Sequence, residues 1–171
     1  MPSAFAKFRR SLPWLAMIAA VVWISGNLAP KGNFAVGAKL PAFSAPLTDG
    51  SQFSSSAPST QITVLNFWAS YCEPCRIEAP MLSSAQARDV RVIGLSVEAF
   101  PAAQVSERAR ALGMRYPVGV ADRKLMSRFQ VHTLPTTYVI APDGVIVLSR
   151  VGAISQSELD AALESARRRE S

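Results

Sequence analysis

The chain has 171 residues, with 18 basic and 12 acidic side chains, which is enough for one domain with its own core. The net charge of +6 is uneven: residues 1–31 carry Lys7, Arg9, Arg10 and Lys31 with no acid, and the rest is close to neutral. That distribution excludes an extended nucleic-acid-binding surface, and the run Arg167, Arg168 and Arg169 reads as a solvated helix end. Two cysteines and one histidine fall short of the four or so ligands of a structural zinc site and leave no disulfide framework to build.

Lys7, Arg9 and Arg10 precede an uncharged stretch from Ser11 to Pro30 whose most apolar part is Leu12 to Ile24. Basic residues stay on the cytoplasmic side, so whatever follows is expected to be exported. The apolar core has the length of a signal peptide, while the whole uncharged span approaches that of a membrane helix. Asn27-Leu28-Ala29 is a poor cleavage site, and the favoured expectation is an uncleaved anchor with Trp14 and Trp23 near the two interfaces. Residues 31–41 read as a short linker with nothing to form a core.

A hairpin is expected next, from Phe43 to Leu47, around Asp49-Gly50, to Gln52 and Phe53. A Ser-rich loop over 54–60 leads into Ile62 to Trp68, where β-branched and aromatic residues argue for a buried strand. That strand runs into Cys72-Glu73-Pro74-Cys75 and a helix opening at Glu73, with Pro74 in its first turn, where it loses no hydrogen bond. A cysteine at this junction faces unpaired backbone N–H groups and the positive end of the helix dipole, both of which stabilise a thiolate. A partner thiol three residues on can close a disulfide with it. A c-type haem attachment needs His after the second cysteine, and Arg76 stands there.

Val90 to Val97 is apolar at nearly every central position, as expected of a strand covered on both faces. Pro101 to Leu112 reads as a helix with Gly113 past its end. Tyr116 to Val120 is a short strand, and Asp122 caps a helix to Phe129. Thr137 to Ile140 and Val145 to Ser149 form a hairpin across Ala-Pro-Asp-Gly. Ser155 with Glu158 is a capping box opening a last helix to about Arg168. The alternation of strands and helices describes an α/β domain.

Two motifs carry a resemblance. F-W-A-S-Y-C-E-P-C followed by R-I-E-A-P resembles the active-site segment of the thioredoxin superfamily, in particular the membrane-anchored reductases of the ResA, TlpA and CcmG type. V-H-T-L-P-T-T-Y-V-I, far downstream, resembles the superfamily's cis-proline loop. The likeness covers roughly residues 35 to 166. It implies a thioredoxin-like fold with an N-terminal β-hairpin addition, divided as 1–31 (signal anchor and start of linker) and 32–171 (redox domain).

It also implies roles. Cys72, expected to be exposed, would attack a substrate disulfide and Cys75 would resolve the mixed disulfide. Glu78, at a helical spacing from Cys75, would move protons in that exchange; the alternative is a solvated helix charge. Leu134 and Pro135 would receive substrate through the Leu134 backbone, against the alternative of a trans proline opening a strand. Tyr71, in place of the family's usual tryptophan, with Glu73 and Pro74, would shape the rim. Glu73 beside Cys72 would oppose thiolate formation and so incline the pair towards reduction. Asn66 replaces the buried aspartate of cytosolic thioredoxins, which puts more weight on Glu78. His132 has no assigned role.

The expected activity is reduction of protein disulfides on the outer side of a membrane, with the dithiol as redox group and no cofactor. By resemblance, electrons would come from a transmembrane thiol carrier of the DsbD or CcdA type, and apocytochrome c is the best single substrate. Other exported proteins, including copper-site assembly factors and sulfenylated proteins, are the alternative. A peroxiredoxin would need a Thr-containing motif before a lone cysteine, which is not present, and a non-enzymatic binding domain is the remaining class.

Overall fold

The computed structural model describes residues 17–18, 34–57, 59–88 and 90–169. Apart from Met17 and Ile18, the expected anchor lies outside the described residues, as do its interfacial tryptophans. Among those described, no helix is long and apolar enough to cross a membrane.

Strand β3 (Thr63–Trp68) is the centre of the molecule, buried at all its positions. Successive side chains of a strand point to opposite faces, and here Val64 and Trp68 enter one core while Leu65 and Phe67 enter the other. β3 pairs in parallel with β4 (Arg91–Ser96) and antiparallel with β6 (Thr136–Ile140). β5 (Val118–Val120) and β7 (Ile146–Val151) complete the five-stranded sheet in the order β5-β4-β3-β6-β7.

On the Val64 face the core holds inward residues of α1 (Glu73–Gln86), α2 (Ala102–Ala111) and α4 (Gln156–Arg167). On the Leu65 face it holds Leu125 of α3 (Arg123–Arg128), Phe129, and Ala45 and Phe53 of the hairpin β1 (Ser44–Pro46) and β2 (Gln52–Ser54). Helices on both faces explain why β3 and β4 are almost uniformly apolar. β4 approaches its neighbours closely at Gly94, where an added Cβ would lie 2.9 Å from Tyr116 Cε2 and 3.1 Å from Trp68 Nε1.

The local punctuation behaves as expected. Asp122 Oδ1 accepts the Leu125 N–H at 2.6 Å, and both halves of the Ser155–Glu158 capping box are present. Gly50 and Gly144 turn their hairpins at φ +87° and +81°. Pro80 lies inside α1 without ending it.

The linker expectation over 31–41 needs correction for the described residues 34–41. Gly37 N–H and Leu40 N–H donate to the Ile146 and Gly144 carbonyls at 2.8 and 2.9 Å, and Lys39 bridges Val145, so this stretch covers the β7 edge. Phe34 packs edge-on against Phe129, ring centroids 5.1 Å apart, and contributes to the core. Backbone pairing to a strand more than a hundred residues away leaves no local pattern, and small residues are what such a close approach uses.

Candidate active site

β3 ends at Trp68, and the Ala69–Tyr71 turn delivers Cys72 to the start of α1, its N–H donating to the Ala69 carbonyl at 3.2 Å. Cys72 is the N-cap residue of α1, with extended backbone, and its sulfur accepts the Cys75 N–H at 3.2 Å. Cys72 and Cys75 are joined in a disulfide. In the dithiol form the same sulfur sits where the first turn's N–H groups and the helix dipole favour a negative charge. Pro74 lies in that first turn.

The expectation of an exposed Cys72 is corrected. The residue is only 7% exposed, against 1% for Cys75, because its side chain is drawn into the core beside α1 and bonded to its partner. It is nevertheless the more accessible of the two. Tyr71 beside it is 76% exposed, and Ile77 on the outer face of α1 is also open. Glu73 reaches into solvent and pairs with Arg76 at 3.3 Å, so its charge is balanced and screened, and the opposition to a Cys72 thiolate expected of it is weakened.

Glu78 lies on the buried face of α1 with Cys75, Ala79, Leu82 and Ala85. It is 2% exposed, which overturns the solvated-charge alternative. Its carboxylate accepts hydrogen bonds from the Ile154 N–H at 2.5 Å and from Asn66 Nδ2 at 3.4 Å, and Asn66 Nδ2 also donates to Thr137 Oγ1 at 2.9 Å. Burial is the dominant influence and pushes the Glu78 pKa up to about 7, against the lowering effect of these two donors and of the Arg150 charge. A carboxyl poised near neutrality can accept or release a proton in thiol chemistry.

The bond between Leu134 and Pro135 is cis. Thr136 pairs with Phe67 in the sheet, so this turn leaves β6 at the end where β3 hands over to the cysteine turn. Pro135 is buried and its carbonyl accepts the Gly152 N–H at 2.8 Å. Among the described residues, neither the N–H nor the C=O of Leu134 has a hydrogen-bond partner. His132 is exposed on the same loop.

Sequence reading missed the loop after β7. Gly152 bonds the proline turn and Ile154 bonds Glu78, so one short segment ties the two together. Both contacts are made by backbone N–H groups, which carry no residue-type signal. Only the capping box, starting at Ser155, marked the place.

A family model described as the AhpC/TSA family matches residues 36–149. The chain belongs to the AhpC/TSA family. It is 28% identical over 150 residues to the thiol–disulfide oxidoreductase ResA of Bacillus subtilis, covering 84% of this chain and 83% of that one. A thiol:disulfide interchange protein of the thioredoxin family from Chlorobium tepidum TLS is similar in structure, with a TM-score of 0.64, 27% identity, and coverage of 78% of this chain and 98% of that one. So is a secreted Mycobacterium tuberculosis disulfide oxidoreductase described as homologous to Escherichia coli DsbE, with a TM-score of 0.60, 26% identity, and coverage of 72% and 95%. The thioredoxin-like fold and the likeness to ResA-type proteins are therefore as the two motifs implied. With its cysteine pair closed at the mouth of α1, the chain is a thiol–disulfide oxidoreductase.

Proposed function

We propose that the protein is an exported, membrane-tethered reductant of protein disulfides, acting in cytochrome c maturation. The observation that carries the reading is a cysteine capping α1 and closed onto its neighbour, with a near-neutral carboxyl buried on the same helix face. Support for export comes from the basic-then-apolar residues 1–31 and from the relative described as secreted.

In this mechanism the dithiol is the active form. The Cys72 thiolate attacks one sulfur of a substrate disulfide, forming a mixed disulfide and releasing the other substrate sulfur as a thiolate. Glu78, in its charged form, takes the proton of Cys75. The resulting Cys75 thiolate attacks the Cys72 sulfur, the substrate's second sulfur leaves, and the enzyme is left as the Cys72–Cys75 disulfide. Two electrons have then passed to the substrate: Glu78 returns the Cys75 proton to the second leaving thiolate, and the first takes its proton from water. A transmembrane thiol carrier of the DsbD or CcdA type restores the dithiol by the same exchange in reverse.

Substrate lies along Leu134 as an added strand, using its free N–H and C=O, with Pro135 beneath and Tyr71, Glu73 and Pro74 at the rim. Cys75→Ser is expected to accumulate a mixed disulfide through Cys72, and Cys72→Ser to abolish both capture and insulin reduction. Partners captured by Cys75→Ser in the native membrane test the biological role. Apocytochrome c supports it, and capture only of other exported proteins replaces it with a broader reductase. Insulin reduction undiminished in Cys72→Ser would make the domain's thiols incidental.

A further inference from the structure

The turn that presents Cys72 is held from outside its own helix. Ser70, two residues before the cysteine, donates its N–H to one oxygen of Glu98 and its O–H to the other, the latter at 2.9 Å. Arg108 Nη1 donates to the same Ser70 hydroxyl at 3.0 Å. The guanidinium also lies over the Phe100 ring, 4.0 Å from its centroid, which fixes its plane. Glu98 is itself oriented, its N–H donating to Ser96 Oγ at 3.1 Å, and the adjoining Val97 N–H bonds the Trp68 carbonyl at 3.0 Å.

Among the described residues Glu98 and Arg108 form no direct ion pair, so the Ser70 hydroxyl is where the two charges meet. We propose that Ser70, Glu98 and Arg108 are positioning residues, which hold the Tyr71–Cys72 turn so that the Cys72 sulfur keeps its place over the first turn of α1. All three are half-buried, which suits a clamp at the edge of the site better than a core contact. Hydrogen bonds to charged partners are stronger than neutral ones, and three converge on one residue. The cluster fits positioning because the exchange needs three sulfurs brought into line, and small misplacements of a nucleophile are costly. None of the three residues enters the exchange chemistry itself.

The test uses the full-length protein in its reduced form, reacting with dithiobis(nitrobenzoic acid), a small disulfide that needs no docking surface. Ser70→Ala is expected to slow the first exchange at Cys72 about tenfold, and Ser70→Thr, which keeps the hydroxyl, to stay within about twofold of the parent. Arg108→Gln is expected to slow it about threefold. Thermal melting of each variant is followed in parallel. Unchanged rates in Ser70→Ala overturn the proposal, as does a Ser70→Thr as slow as Ser70→Ala, since that points to packing. If Ser70→Ala fails to fold, Arg108→Gln decides: slower exchange with melting preserved supports the clamp, and an unchanged rate removes it.

Discussion

At the scale of single residues, the proton role proposed for Glu78 can be tested through stability as well as through the reaction. Its ordinary pKa of 4.5 rises to about 7 in the fold, mainly through burial. A carboxyl raised in this way keeps its proton in the folded state while the unfolded chain has lost it. Its contribution to stability is therefore complete below pH 4.5 and declines as pH rises to about 7, by up to about 3 kcal/mol. Glu78→Gln should flatten this part of the stability–pH curve, as measured by urea unfolding at a series of pH values. The same ionisation should appear in the reaction, with insulin reduction rising through pH 7 as the charged base forms. Glu78→Gln should slow reduction by about a hundredfold and remove that rise. Equal slopes for parent and variant in both measurements would remove Glu78 from the proton path. Asn66 and Thr137 complete its surroundings, and the asparagine was readable as a departure from the cytosolic pattern.

At the scale of elements, the parts that were legible are those governed by short-range rules. Pro74 in the first turn of α1, Asp122 before α3 and Ser155 with Glu158 before α4 each satisfy a helix end within a few residues, so the sequence carries the whole cause. The parts that were not legible depend on contacts between distant segments. Residues 34–41 read as linker yet pair with β7, and Ser70 meets Glu98 and Arg108 only once β4 and α2 are in place. Two substitutions separate these cases. Ser155→Ala should cost about 1 kcal/mol through loss of the cap, by urea unfolding. Phe34→Ala should cost about 2 kcal/mol, since it removes a ring packed on Phe129 and Tyr138; a free linker would show no loss.

At the scale of the whole molecule, the sheet brings together what the chain separates. β3 ends in the cysteine turn, antiparallel β6 begins at the cis proline beside it, and the loop after β7 bonds both Pro135 and Glu78. The cysteine pair and the proline loop were legible as motifs, whereas the depth of Cys72 was not, because burial is decided by the assembled core. The proposed membrane anchor in residues 1–31 has its own test. Alkaline carbonate extraction of cells should leave the full-length chain in the membrane pellet, and a shortened form in the soluble exported fraction would show cleavage. The most direct measurement of the central claim is the oxidation state of Cys72 and Cys75 during turnover. Reduced protein is mixed with insulin, and the remaining thiols are alkylated and counted by mass spectrometry. One Cys72–Cys75 disulfide should form for each insulin disulfide reduced, and a pair that stays reduced while insulin is cleaved would contradict the account.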